Sequence, residues 1–391
     1  MPATSRVDRI LSTYAPPMRT QNSRVTPPKK LIVVSSMVML LGLSLAACGT
    51  DSDTTQTTAS TSASSSVAST AATADAGSVV ASAEAFAATL TDDQKASLQQ
   101  EYSFENAQKW SNLPQALLRG GQGRIGLQLS DLDDTRIVAL DTLLQAVTGS
   151  AAGDGYDEIQ QLLNADDYLA ANGGGTDYGR GNYYIAFLGT PSDSGTWELQ
   201  FGGHHLAFAN TYVDGALVGA TPSFRGVEPF GTFEQNGTSN SPLANEQSSF
   251  AEMLAGMSTE ELATAKLDSV YSDLVLKPGN DWAFPTTKEG VQVSTFTPEQ
   301  KQLVMAAIAT YVDDIDDADA ATILAKYESE LDQTYVSYSG STGVTEQNDY
   351  VRIDGPSVWI EFSMQHGIVL SGNHPHSVWR DRTTDYGGTQ E

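Results

Sequence analysis

The chain has 391 residues, with 48 Asp and Glu against 21 Lys and Arg, a net charge of −27. A field of that sign repels nucleic acid and anionic lipid surfaces, so neither is expected as a partner. The single cysteine, Cys48, excludes an internal disulfide and leaves the body of the chain without a thiol nucleophile.

The N-terminal part reads as an export signal. Lys29 and Lys30 precede the apolar run 31–47, which ends Leu45-Ala46-Ala47-Cys48. A basic flank, a short apolar run and small residues before a cut are its marks. The run is also short for a spanning helix, which needs about 20 apolar residues. Cysteine directly after Leu-Ala-Ala resembles a bacterial lipobox, which implies lipidation of Cys48 and a membrane-anchored, exported protein. Residues 1–48 are expected to be removed or to form the anchor. They carry six of the basic residues and one Asp, leaving 15 basic and 47 acidic side chains beyond them, near −32. Residues 49–77 are dominated by Ser, Thr and Ala without an aromatic. That composition buries too little to offset ordering entropy, and it predicts a disordered tether.

Residues 78–391 read as a single large domain, because no Pro/Gly/Ser linker divides them. Thr91-Asp92-Asp93-Gln94, Ser258-Thr259-Glu260-Glu261 and Thr297-Pro298-Glu299-Gln300 place a hydroxyl three residues before Glu or Gln, the capping-box signature of a helix start. Pro298 occupies the first helical position, where its missing N–H costs nothing. A helix is also expected after Ser130, where Ile137, Leu140, Leu144 and Val147 recur at helical spacing. Further helices are expected over 156–171 and 318–331.

Strands are expected over 182–188, 197–201, 206–213 and 216–218, with Asp214-Gly215 as a hairpin turn. A second group is expected over 334–338, 350–353 and 358–364. Helices alternating with hairpin-linked strands predict an α+β fold with a mostly antiparallel sheet and capping helices.

All five histidines fall in two stretches: His204 and His205, then His366, His374 and His376. Imidazole is the commonest metal ligand and the usual acid/base near neutral pH. His374 and His376 flank Pro375, and in an extended chain that spacing aims both rings to one side. His204 and His205, being adjacent, are expected on opposite faces, with only one joining the site. Glu361, Asp381 and Asp385 are candidate carboxylates, with Glu361 or Asp381 as ligand or general base. Arg380 and Arg225 could hold an anionic substrate group. Trp379, with Trp197 and Trp359, could wall a pocket. The pattern of several His and a carboxylate suits zinc or iron. A bland alternative places the imidazoles as hydrogen-bonded core residues and Arg380-Asp381 as a structural ion pair.

Two motifs are set aside. Gly121-Gln122-Gly123-Arg124-Ile125-Gly126 fits a dinucleotide pattern, but no strand precedes it. The acidic run 313–319 lacks the glycine and ligand alternation of a calcium loop and is expected as a solvated turn between helices. No G-x-S-x-G elbow is present.

Gly202-Gly203-His204-His205-Leu206, Thr221 to Pro229, Tyr350 to Pro356 with Ile360-Glu361-Phe362, and Asn373 to Asp381 with Asp385-Tyr386-Gly387 together resemble the bacterial family called domain of unknown function 3500. Trp110 to Pro114 and Arg119 fit the same pattern. The resemblance spans about residues 100–388 and implies a family without an assigned substrate. The sequence therefore points first to a metal-dependent, hydrolytic enzyme anchored outside the cytoplasm. Second comes a non-enzymatic lipoprotein that binds a small-molecule ligand or a metal, and third a structural envelope protein.

Overall fold

A computed structural model describes residues 78–118 and 123–388. Cys48, the export segment, the whole of the tether expected over 49–77, Arg119 and Gly121-Gln122 lie outside the described residues. No helix among the described residues is long and apolar enough to cross a membrane.

Eight strands make the body of one sheet: β1 (Tyr184–Leu188), β2 (Thr196–Gly203), β3 (Leu206–Val213), β4 (Ser223–Gly226), β5 (Tyr335–Ser339), β6 (Tyr350–Asp354), β7 (Val358–His366) and β8 (Asn373–Asp381). Their order in space is β1-β2-β3-β4-β8-β7-β6-β5, and every neighbouring pair is antiparallel. Four short pieces extend it to twelve strands among the described residues. The fold is α+β, as the alternation of elements predicts. β4 and β8 were not legible as strands, because both faces of each are covered and neither alternates apolar with polar residues.

Six principal helices are α1 (Val79–Ala88), α2 (Asp134–Val147), α3 (Gly155–Leu169), α4 (Ala244–Ala255), α5 (Pro298–Val312) and α6 (Asp317–Glu330). All three capping boxes form, at Thr91, Ser258 and Thr297; each cap contributes about 1 kcal/mol. α2 starts later than expected. Ser130 and Asp131 form a 3-10 turn, and Asp133 caps the helix by accepting from the Arg136 N–H at 3.0 Å.

The helices bury one face of the sheet, with Trp197, Leu199, Phe201, Leu206 and Phe208 in that core. The opposite face carries a smaller apolar cluster that includes Trp110, Ala207, Phe224 and Val378.

The register reveals a repeat. Gly126 and Gly290 both have φ near +100°, and a Cβ on either would stand 2.2 Å from a strand carbonyl, that of Ile185 or Val336. Leu127 pairs with Ile185 as Val291 pairs with Val336. Leu129 N–H donates to Tyr183 O and Val293 N–H to Thr334 O, each at 2.9 Å. Gln99 pairs parallel with Phe187 as Lys266 bridges parallel to Tyr338. The helix pair α2 and α3 precedes β1–β3, and α5 and α6 precede β5–β7. The chain is thus two copies of one arrangement, residues 79–226 and 244–382. They join through antiparallel β4 and β8, about an approximate two-fold axis near the Ser223–Trp379 pair.

Candidate metal centre

The seam between the repeats collects the histidines. β2 and β3 are joined by a two-residue turn, His204-His205, closed by the Gly203–Leu206 pair. His205 takes φ 67°, a left-handed conformation that histidine adopts more readily than most residues. The turn hangs over β4: Gly226 N–H donates to His205 O at 2.7 Å, and Val227 N–H to Pro375 O at 3.1 Å. On β8, His374 and His376 face the turn from the other repeat.

His205, His374 and His376 each offer a ring nitrogen within 4.8 Å of the others, and all three are buried. Nε2 of His205 and Nε2 of His374 are 2.7 Å apart, close enough for one ring to donate to the other. His376 Nε2 is buried with no hydrogen-bond partner among the described residues. Such a nitrogen is costly unless something accepts its bond.

An outer layer orients the rings. Asp166 Oδ1 is 2.6 Å from His204 Nδ1, and the His204 ring stacks on His205 at 3.6 Å between centroids. Gln365 Nε2 lies 2.9 Å from His376 Nδ1 and 2.8 Å from Asp273 Oδ1. His374 Nδ1 faces the His366 carbonyl at 3.4 Å. Of these, the His374 contact is the kind by which a ligating histidine ordinarily holds its second nitrogen on a carbonyl, whereas His376 Nδ1 accepts from the Gln365 amide.

Burial sets the electrostatics. It pushes the His205 pKa well down, and the neighbouring His204, His374 and His376 push it further. Burial and His376 bring His374 down to about 2. His376 is also lowered by burial, against the opposing pull of Asp273. Burial raises Asp273, but the His376 imidazole and the Lys277 ammonium outweigh it and hold that carboxyl below the usual range. The three imidazoles are therefore neutral, as a metal ligand must be. Two nitrogens on one tetrahedral zinc ion, each at about 2.0–2.1 Å, stand about 3.3 Å apart. His205 and His374 would need to open by only about 0.6 Å, and His376 Nε2 would gain a partner. The residues fit a divalent ion.

The structure brings together His205, His374 and His376 and places the other sequence candidates elsewhere. His204 stands one layer back, because its Nδ1 is engaged by Asp166. The expectation of opposite faces fails for His204 and His205, since a turn rather than an extended strand holds them. Glu361 accepts from Val275 N, Leu276 N, Tyr350 Oη and Trp359 Nε1. Arg380 is held by Asp385 and Asp281. Asp381 binds Lys326, Tyr327 and Thr383, and Trp379 Nε1 donates to Tyr327. None of these hydrogen bonds reaches an imidazole. Arg225, on the helix face, pairs with Glu158 at 2.6 Å and Asp314 at 2.5 Å. That corrects the solvated turn expected over 313–319, because Asp314 is buried there. Glu158, Glu246 and Asp314 could also hold a cation, but the Arg225 guanidinium already serves as one.

Asp166, Asp273, Gln365 and Gly226 were not legible as site residues. Asp166 and Asp273 come from a helix and a loop distant in sequence, and no local pattern marks them.

The family model described as a protein of unknown function, DUF3500, matches residues 72–388, so the chain belongs to that family. No curated protein and no solved structure matches it.

Proposed function

With membership of that family as premise, we propose that His205, His374 and His376 bind one divalent transition metal ion. The proposal extends to an exported protein, anchored through a lipid on Cys48, that catalyses a metal-dependent hydrolysis. The observation that carries the metal reading is His376 Nε2, a buried nitrogen without a partner beside two other convergent imidazoles.

The donor set favours zinc over iron. Three neutral imidazoles without a carboxylate differ from the two-His, one-carboxylate set of non-haem iron, whereas three His with one open position is a zinc arrangement. Such an ion supplies Lewis acidity and an activated water. The chain supplies orientation: Asp273 and Gln365 fix His376, and the His204–Asp166 pair backs the His205 ring.

A second reading is a non-enzymatic metal-binding lipoprotein. Burial favours it, since His205, His374 and His376 are 4 %, 1 % and 8 % exposed.

Metal content by mass spectrometry tests the centre. The purified chain is expected to hold close to one equivalent of zinc, and a folded His374→Ala, His376→Ala variant none. A parent that takes up no metal after exposure to zinc, copper and iron would rule the centre out. Zinc-dependent cleavage of ester or phosphoester substrates separates the enzyme from the binder. Processing at Cys48 is checked by the mass of the mature N-terminus, where an unmodified Cys48 would end the anchor reading.

A further inference from the structure

The repeats can be compared position by position, and one difference points to a ligand. In the C-terminal repeat Lys288 stands two residues before Gly290. Its ammonium meets the buried Asp354 carboxylate at 2.5 Å, and Arg382 reaches the same oxygen at 2.6 Å. Trp359 pairs with Asp354 across the strands. The guanidinium carbons of Arg352 and Arg382 each lie 5.2 Å from its ring. This repeat fills the region with its own carboxylate and its own indole.

The register supplies the counterparts in the N-terminal repeat. Arg124 stands two residues before Gly126. Gly202 pairs with Tyr184 as Asp354 pairs with Tyr335, and Ala207 pairs with Gly202 as Trp359 pairs with Asp354. The cation is kept, the carboxylate is missing, and the indole is cut back to a methyl. A recess of about 10 Å³ results, lined by Lys109, Trp110, Arg124, Tyr184, Gln200 and Ala207 among others. That is room for about one water as it stands.

Arg124 is the arginine that lacks an acid. Six of the seven described arginines lie within 4.0 Å of a carboxylate, and Arg124 is the exception. Its guanidinium donates to the Ser111 and Leu113 carbonyls and to Gln115 Oε1, which are neutral oxygens. In a chain with 48 acidic residues and 21 basic ones, a carboxylate is the partner most readily supplied. Arg124 therefore stands at the edge of a recess with no carboxylate in direct contact among the described residues, and Asp166 acts on it only from a distance. The recess adjoins the histidines: Ala207 pairs with Phe224, and the Phe224 ring is 5.3 Å from His376 and 6.1 Å from Trp110.

We propose that this recess, widened from its present size, seats the carboxylate of a small organic acid against Arg124, meeting that cation as Asp354 meets Lys288 in the other repeat. The acid's body then extends along Trp110 and Tyr184. The inference goes beyond the reading above by naming a ligand class for a recess beside the proposed metal site, and it rests on that reading only for what happens to the acid once bound.

Ligand-observed NMR titration of the full chain with propionate and with propionamide tests it. The acid is expected to bind at least tenfold more tightly than the amide. Arg124→Gln should abolish that preference. Ala207→Leu fills the recess without touching Arg124 and should weaken the acid to a similar extent, which covers the case in which Arg124→Gln disturbs the 111–115 segment. Equal binding of acid and amide, or an acid preference that survives both substitutions, overturns the proposal. The titration is repeated on the His374→Ala, His376→Ala variant with its metal content measured. Acid binding retained after loss of metal places the carboxylate at Arg124. Binding lost together with the metal places it on the ion and overturns the recess assignment. Metal without acid binding leaves the metal centre standing and removes only the present inference.

Discussion

Gly226 lies against the imidazole of His376: a Cβ added to it would stand 2.8 Å from His376 Cδ2, and 3.1 Å from His205 Cδ2. Gly226 is not among the residues with positive φ, so alanine meets no φ penalty there and acts through those rings and the Pro375 carbonyl, 3.2 Å from the added carbon. Gly226→Ala is expected to spread the imidazoles and weaken zinc binding by about 10–100-fold, the range for disturbing what orients a ligand. The circular dichroism spectrum should be unchanged. Competition with a chelator measures the affinity, and an unaltered value would show that the close approach does not shape the centre.

Most of the sheet and the capped helices were legible in the sequence, because each rests on local signals, whereas strands β4 and β8 were not, and the meeting of the two histidine stretches was expected only because together they hold every histidine. Thr91, Ser258 and Thr297 announce helix starts by hydroxyl spacing, and β3 is bounded by its own turns. The duplication was not legible. Gly126 with Gly290, Gln128 with Gln292 and Tyr184 with Tyr335 keep their identity, but most equivalent positions keep only their burial. Pairs such as Ala207 and Trp359 keep neither size nor shape. Glu361, Asp381 and Arg380 were attractive as site residues because they neighbour the histidines in sequence. β8 alternates its side chains between two faces, so proximity along the chain sends Asp381 to the helix side while His376 faces away from it.

Asp273 and Gln365 should matter for metal binding without contributing a ligand. Gln365→Leu removes the amide beside His376 Nδ1, and Asp273→Asn removes the charge behind it. Each is expected to lower zinc affinity by about 10-fold or more with the stoichiometry still at one. Loss of stoichiometry would mean that one of them is itself a ligand. A combined variant should fall short of the product of the two effects, because both side chains act through His376.

The metal-free protein should lose stability in acid through the same histidines. Their folded pKa values are lowered, so the unfolded chain takes up protons near its ordinary value of about 6.5 while the folded chain refuses them. The contribution is nil above about pH 6.5 and grows more unfavourable as pH falls toward the folded values, of which that of His374 is about 2. Each imidazole contributes at most about 1.4 kcal/mol per pH unit in that window. The melting temperature of the metal-free parent, compared with that of the His374→Ala, His376→Ala variant, should drop more steeply between pH 7 and pH 5. Parallel profiles would show that the imidazoles take up protons in the folded state.

The helix face holds the opposite case. Glu158, Glu246 and Asp314 are buried around one guanidinium, that of Arg225, which pairs directly with Glu158 and Asp314. Three ionised carboxylates would leave two uncompensated charges in the core. Burial raises the Glu246 pKa well above its ordinary value, and the Glu158 and Asp314 charges raise it further. A raised carboxyl pKa means that the folded state holds the proton longer than the unfolded chain, so stability falls as pH rises from about 4.3 toward the folded value. Glu246→Gln keeps the shape, fixes the neutral form and ends that loss. Near pH 4 both proteins carry a neutral side chain and should melt together. At pH 7–8 the variant should be more stable by about 1–3 kcal/mol, the range for relieving a buried uncompensated polar group. Chemical denaturation at the two pH values measures the difference. A variant that is less stable at pH 8 would mean that Glu246 is ionised there and held by a cation, which would reopen this trio as a second metal site.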